Sequence, residues 1–238
     1  MIAGPNGSGK TTLFDLLAEQ SFRLGHYLNP DRLERELSET RHVSFSPWGI
    51  DVDERALREF VAAHGLGQRI TDVAFTVRDN TITVGHDVRG GYFAAILADF
   101  MRHRWIETGQ AFTFETVMSN RDKVDLLVLA RSRGYRTYVY YVCTDSPLIN
   151  RERVAGRVAS GGHPVPDEKI DARYTRSLSL LPAAVRAANR AYLFDNSTLA
   201  RHRLIAEFEA GRLTAASAEL PAWFVDTGLL DLGRIEEG

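Results

Sequence analysis

The sequence predicts an α/β fold, a largely parallel sheet with helices on both faces, on three observations. A glycine-rich loop, Gly4-Pro5-Asn6-Gly7-Ser8-Gly9-Lys10-Thr11, runs straight into a stretch with apolar residues at helical spacing. Strand-like and helix-like segments then alternate along most of the chain, the rhythm of a parallel sheet wrapped by helices. Residues 41 to about 90 break that rhythm with alternating apolar positions, which predicts an inserted small subdomain containing a β-hairpin in a chain that otherwise reads as one domain over 1–238.

The loop fits the pattern of a glycine, any four residues, a second glycine, a lysine and then Ser or Thr, and its backbone N–H groups are suited to wrapping a phosphate chain. With this chain's composition, a chance match arises with a probability of roughly 0.2%. The next residues, Thr12-Leu13-Phe14-Asp15-Leu16-Leu17-Ala18, place a helix N-terminus against the anion. The fold is therefore expected to be of the P-loop NTPase type. Gly4, Asn6, Gly7, Ser8, Gly9, Lys10, Thr11 and Thr12 form the nucleotide site, with Lys10 reaching the β and γ phosphates and the Thr11 hydroxyl on Mg²⁺. ATP is the expected nucleotide, and GTP also suits such a loop. Met1-Ile2-Ala3 is a short strand to precede it, which suggests a native start further upstream. The downstream LSGGQ-like signature and the apolar strand ending in Asp-Glu that transporter-type ATPases carry do not occur.

Further along, Gly25 to Leu28 reads as a short strand, and Asn29 caps a helix with Pro30 at its first position that runs to about Glu39. In the insertion, Val73, Phe75 and Val77 alternate, Asp79-Asn80 supplies the turn, and Ile82 and Val84 resume, so Val77 should face Ile82 and Phe75 face Val84. Ala111 to Phe114 is a strand ending at Glu115. A helix from Asn120 to Arg133 is expected, with Ser119 and Asp122 as a capping box and Gly134 as its stop. Thr137 to Cys143 is a buried strand, and Ser146-Pro147 starts a helix through about Ser160. Gly161 to Pro166 breaks it, Asp167 caps the next helix, and Ala191 to Phe194 is a last parallel strand. Residues 200–226 read as a small C-terminal hairpin turning near Gly211, with Pro221 to Phe224 packing back.

Composition narrows the partners. Lys and Arg total 29 against 31 Asp and Glu, a net charge of −2, which disfavours nucleic acid. No apolar run reaches membrane-spanning length, the start lacks the features of a signal peptide, and the one cysteine, Cys143, lies in an apolar run. A cytoplasmic protein without a membrane partner is expected.

Phosphoryl transfer needs a positioned nucleophile and cations around the transferring group more than covalent help. Asp31, just past the second strand, is placed to accept a proton from a substrate hydroxyl, and a first-turn acid that stabilises its helix would sit at the same position. Glu115 at a strand's C-terminal end, followed by Thr116, points to a substrate contact, since a buried carboxylate there needs a partner. Arg151, Arg153, Arg157, Arg173 and Arg176 lie on two helices that flank the Gly161–Pro166 loop. Residues 145–180 therefore read as a lid whose guanidinium groups hold phosphate oxygens, and His163 is placed to touch phosphate or substrate. The histidines show no metal-ligand spacing.

Taken together, GPNGSGKTT at Gly4–Thr12, NPDR at Asn29–Arg32, FTFET at Phe112–Thr116, RVAGRVASGGHPVP at Arg153–Pro166, RYTRSL at Arg173–Leu178 and FDNS at Phe194–Ser197 resemble the zeta toxin family of P-loop kinases. The resemblance covers most of the chain outside 41–90. It implies a kinase that phosphorylates a sugar hydroxyl of UDP-N-acetylglucosamine, acting as a toxin restrained by an antitoxin protein. It further implies Lys10 and Thr11 on ATP and Mg²⁺, Asp31 as general base, and Glu115 and Thr116 on the acceptor. Arg157 and Arg173 would clamp phosphates, Arg153 would join the nucleotide site, Arg176 the substrate site, and Asn196 would lie near the nucleotide base. The 41–90 insertion departs from the family pattern where acceptor-binding residues belong. Two other readings follow from the residues: the same chemistry on another hydroxylated metabolite, and a nucleotide-dependent binding switch without transfer.

Overall fold

The computed structural model describes residues 1–20, 22–70, 74–85, 90–162, 164–198 and 202–233. Val73 and His163, named above, lie outside them. In chain order the elements are β1 (Ile2–Ala3), α1 (Lys10–Glu19), β2 (His26–Leu28), α2 (Pro30–Thr40), β3 (His42–Ser44), α3 (Glu54–Ala63), β4 (Phe75–Arg78), β5 (Thr81–Val84), α4 (Gly90–Thr108), β6 (Phe112–Thr116) and α5 (Asp122–Ser132). There follow β7 (Tyr138–Cys143), α6 (Pro147–Ala159), α7 (Asp167–Ala187), β8 (Arg190–Asp195), β9 (Arg203–Glu209), β10 (Arg212–Ala216) and α8 (Ala222–Val225). The chain divides into two compact units, one of residues 1–23 and 115–238 and the other of residues 24–114.

In the first unit β1 is the parallel neighbour of β7 on one side and of Glu115–Thr116 of β6 on the other, with Ile2 opposite both Tyr140 and Glu115. β8 runs parallel to β7 over its whole length. β9 and β10 then continue the sheet antiparallel, and the hairpin they make forms its outer edge. Its turn falls at Ala210-Gly211, both with positive φ, the conformation a two-residue hairpin turn requires. The strands bury Ile2, Val139, Tyr141, Leu193 and Phe208, and α5 and α7 contact one another. Trp223, brought back by α8, is buried against Tyr141 and donates its Nε1–H to the Asp195 carboxylate at 3.1 Å.

In the second unit β2 lies parallel to Phe112–Phe114 of β6, and a separate antiparallel sheet has the order β3-β5-β4. Phe75 pairs with Val84 and Val77 with Ile82, as the alternation predicts. β3, α3 and the 19-residue α4 are not among the elements that the sequence predicts. α4 buries residues along its length and contacts α2. Its Trp105 packs between the rings of His26 and Phe112 and donates to the Trp48 carbonyl at 2.9 Å.

Two of the predicted helix starts form as local chemistry dictates and two do not. Asn29 Oδ1 accepts from the Asp31 N–H at 3.0 Å, and Ser146 Oγ accepts from the Leu148 N–H at 3.2 Å, as capping residues should. The Ser119–Asp122 capping box does not form: α5 starts after Arg121, which is already helical and makes no side-chain cap, while Asp122 pairs with Lys123 at 2.8 Å. Asp167 is the first residue of α7 rather than its cap, the cap position being Pro166 with no side-chain hydrogen bond, so the acid acts through the helix dipole.

Removing Trp223 would open a cavity and strip a buried carboxylate of a donor. Trp223→Ala should therefore lower the stability of the unit by about 3–5 kcal/mol in urea unfolding, whereas Leu148→Ala on the exposed side of α6 should change it by no more than about 0.5 kcal/mol.

Candidate functional site

The loop from Gly4 to Gly9 leaves β1 and becomes the N-terminus of α1. Gly4 must be glycine twice over: its φ is +144°, and a Cβ there would lie 2.0 Å from the Val142 carbonyl oxygen of β7. Gly9, at the cap of α1 with φ +99°, would place a Cβ 2.4 Å from Asn196 Nδ2. The loop is thus pressed against its surroundings through bare backbone, as a phosphate cradle must be.

Side chains hold its carbonyl oxygens. Lys10 Nζ donates to the Gly4 carbonyl at 2.9 Å and the Pro5 carbonyl at 2.8 Å. Asn150 of α6, fully buried, donates Nδ2 to the Asn6 carbonyl. Asn196, just beyond β8, donates Nδ2 to the Ser8 carbonyl at 2.7 Å, and His202 Nε2 lies 3.0 Å from the Gly9 carbonyl. Because a carbonyl only accepts, Nε2 carries the proton in that contact. The N–H of Leu13 shares the same oxygen at 3.0 Å.

At the end of β6, Glu115 is buried and its Oε2 accepts from Thr11 Oγ1 at 3.0 Å. The hydroxyl meets the solvation demand of the buried carboxylate. A hydroxyl and a carboxylate oxygen beside such a loop are also the donor types that Mg²⁺ takes together with phosphate oxygens. Among the described residues no group of three or more His, Cys, Asp or Glu side chains could hold a metal, so a metal here would depend on phosphate and water for its remaining ligands. Thr116 shapes the adjoining turn: its carbonyl accepts from the Gly4 N–H at 3.2 Å and its Oγ1 from the Met118 N–H at 3.0 Å.

The arginines separate by partner. Arg173 Nη1 donates to Asn6 Oδ1 at 3.3 Å, which ties α7 to the loop. Arg153 Nη2 donates to the Thr198 carbonyl at 3.2 Å, and its Nη1 is buried with no hydrogen-bond partner. Arg151 forms a two-pronged ion pair with Asp171 and so links α6 to α7. Arg157 and Arg176 are exposed, and so is Thr12. The middle of α7 is anchored by buried hydroxyls: Tyr174 donates to the Thr144 carbonyl at 2.6 Å, and Tyr141 and Ser177 lie 3.0 Å apart. Burial raises the Tyr141 and Tyr174 phenols above the tyrosine range and the Cys143 thiol to about 12, so these groups stay neutral and structural.

Lys10, Thr11, Glu115, Arg153, Arg173 and Asn196 thus lie in one unit, with the Asn196 side chain on loop backbone. Asp31 belongs to the other unit, exposed in the first turn of α2. Asn150 and His202 were missed. Neither stands in a recognised spacing pattern, and only the folded chain brings them to the loop.

No known family model matches the chain, and no curated protein matches it. Among solved structures the chain superposes on the AvrRxo1-ORF1:-ORF2 complex with ATP at a TM-score of 0.54 and 13% identity, covering 100% of this chain and 65% of that one. The AvrRxo1-ORF1:AvrRxo1-ORF2 complex with sulphate ions gives 0.54 and 14%, covering 91% and 60%. The PezAT chromosomal toxin-antitoxin system of Streptococcus pneumoniae gives 0.48 and 13%, covering 100% and 78%. The chain spans 60% and 65% of the two AvrRxo1-ORF1 complex chains. What the two AvrRxo1-ORF1 superpositions share with this chain is the α/β fold.

Burial draws the His202 imidazolium below the usual histidine range; the Gly9 carbonyl opposes this, and the Arg153 charge adds to it. The unfolded ring therefore binds the proton more readily, so stability is lost as pH falls through the ordinary histidine value toward the lowered folded one. His202→Gln should flatten the decline of Tm between about pH 7 and pH 5 relative to the wild-type chain.

Proposed function

We propose that the chain is an ATP- and Mg²⁺-dependent small-molecule kinase of zeta-toxin type that moves the γ-phosphate of ATP to a sugar hydroxyl, with UDP-N-acetylglucosamine as acceptor. The observation that carries the reading is the P-loop with Lys10 inside it and the Thr11–Glu115 pair at its end. Lys10 exchanges its loop carbonyls for the β and γ phosphate oxygens, and the backbone N–H groups hold the phosphate chain. Thr11 and Glu115 would hold Mg²⁺, which supplies charge neutralisation between the β and γ phosphates.

Asp31 acts as general base and takes the acceptor hydroxyl proton as the acceptor oxygen bonds to Pγ and the bond from Pγ to the β–γ bridging oxygen breaks, releasing ADP. Arg157 and Arg173 carry the charge that spreads over the transferring phosphoryl oxygens. Arg153 and Asn196 belong to the nucleotide side, and Thr116, Arg176 and His163 to the acceptor side. The matched segments named in the sequence support these roles except that of Glu115, which the resemblance places on the acceptor and which is moved to Mg²⁺ on its contact with Thr11 Oγ1; the AvrRxo1-ORF1 complexes support the fold. By the same reading the chain is a cytoplasmic toxin with an antitoxin protein as partner. A second reading keeps the chemistry and changes the acceptor to another hydroxylated metabolite. The antiparallel sheet of β3, β4 and β5 favours it, because that sheet lies in the part of the chain outside the family pattern.

³¹P NMR of ATP, Mg²⁺ and UDP-N-acetylglucosamine with the wild-type chain should show a new phosphomonoester signal. Asp31→Asn should still bind ATP yet lose turnover by about 10² or more. ATP binding without product would move the acceptor to a different metabolite, and unchanged turnover in Asp31→Asn would remove it as the base. Glu115→Gln should raise the Mg²⁺ concentration for half-maximal ATP turnover; an unchanged Mg²⁺ profile would return Glu115 to the acceptor side.

A further inference from the structure

Donors hold the carbonyl oxygens of Gly4, Pro5, Asn6, Ser8 and Gly9, and three of those carbonyls are held by side chains from outside the loop motif. Asn150 comes from α6, and Asn196 and His202 come from either end of the β8–β9 connection. In a planar trans peptide the carbonyl of one residue and the N–H of the next point in opposite directions. Fixing the carbonyls of Asn6, Ser8 and Gly9 on the outer side therefore turns the N–H groups of Gly7, Gly9 and Lys10 to the opposite side, where a phosphate chain lies in a loop of this kind.

We infer that Asn150, Asn196 and His202 are positioning residues that preset the phosphate cradle. The inference rests on the proposed nucleotide reading and adds to it a role for Asn196 other than contact with the base, and a role for two residues that carry none. The brace is itself held in place. Asp195, buried at the end of β8, accepts from Ser197 Oγ at 2.6 Å and from Trp223 Nε1, and lies 3.7 Å from Arg203, which fixes both ends of the connection that carries Asn196 and His202. Asn150 Oδ1 accepts from Thr144 Oγ1, whose own carbonyl accepts from Tyr174. Each donor thus comes from a segment that is itself held by a hydrogen bond or an ion pair. The ordering cost of the cradle is met on folding rather than on binding, which is how preorganisation raises affinity. Lys10 is the exception by design: its two carbonyl contacts come from the side chain that moves to phosphate, whereas the other three donors stay where they are.

Inorganic tripolyphosphate separates this role from contact with the nucleoside, because it fills the phosphate cradle and has no base or ribose. Titration calorimetry with ATP and with tripolyphosphate, each with Mg²⁺, would compare the wild-type chain with Asn196→Leu, His202→Ala and His202→Gln. The brace predicts that Asn196→Leu and His202→Ala each weaken both ligands by the same factor, about tenfold, and that His202→Gln, which keeps an N–H donor, recovers most of the loss. Circular dichroism and Tm check that each variant folds; if Asn196→Leu does not, the His202 pair decides. Weakened ATP with unchanged tripolyphosphate would place these side chains on the nucleoside and overturn the brace. Unchanged affinity for both ligands would also overturn it while leaving the nucleotide reading intact. A wild-type chain that binds neither ligand would overturn that reading and the brace with it.

Discussion

The approach of bare backbone between Gly4 and β7 is the constraint on which the rest of the first unit depends. The Gly4 position would put any Cβ 2.0 Å from the Val142 carbonyl, so the loop turns off β1 only because its first residue has no side chain. The same approach brings Ser8 to Asn196 and Gly9 to His202. It also sets Thr11, at the start of α1, beneath the buried carboxylate of Glu115. Sheet order follows from this: β1 must have a parallel neighbour on each side, and β6 and β7 supply them, one ending in the acid and the other in the network under the loop.

That network converts packing into placement. Tyr174 and Ser177 sit on the buried face of α7, and their hydroxyls are satisfied by β7 and by the residue that follows it. Arg173, next to Tyr174, is carried to Asn6 as a consequence. α6 contributes from the other direction, through Asn150 beneath the loop and through the Arg151–Asp171 pair that couples it to α7. Beyond these anchors Arg157 and Arg176 are exposed.

The legible parts of the sequence are those where one local interaction decides the outcome. The Asn29 cap, the helix start at Ser146-Pro147 and the Phe75–Val84 hairpin register each rest on residues close in sequence, and each forms as the sequence predicts. α4 was missed because it is buried on several sides, so its apolar positions show no helical period to read. The capping box at Ser119 failed because Arg121 enters the helical conformation first and Asp122 pairs with Lys123 instead. The edge role of β9 and β10 was invisible because nothing in a hairpin's own alternation tells which sheet it joins. Glu115 could be flagged from its position at a strand end, but its partner Thr11 is 104 residues away in the chain. Asn150 and His202 are residue types with many uses, and only long-range packing gives them one.

The account turns on the claim that Gly4–Thr11 holds a Mg²⁺–nucleotide with Lys10 on its phosphates. Calorimetric titration of ATP into the wild-type chain and into Lys10→Ala, with Mg²⁺ and with chelator, tests it most directly. The account predicts saturable binding that Mg²⁺ strengthens and that the substitution weakens by 10-fold or more, on the order of 1.4 kcal/mol at least. Binding that is indifferent to both Lys10 and Mg²⁺ would contradict it.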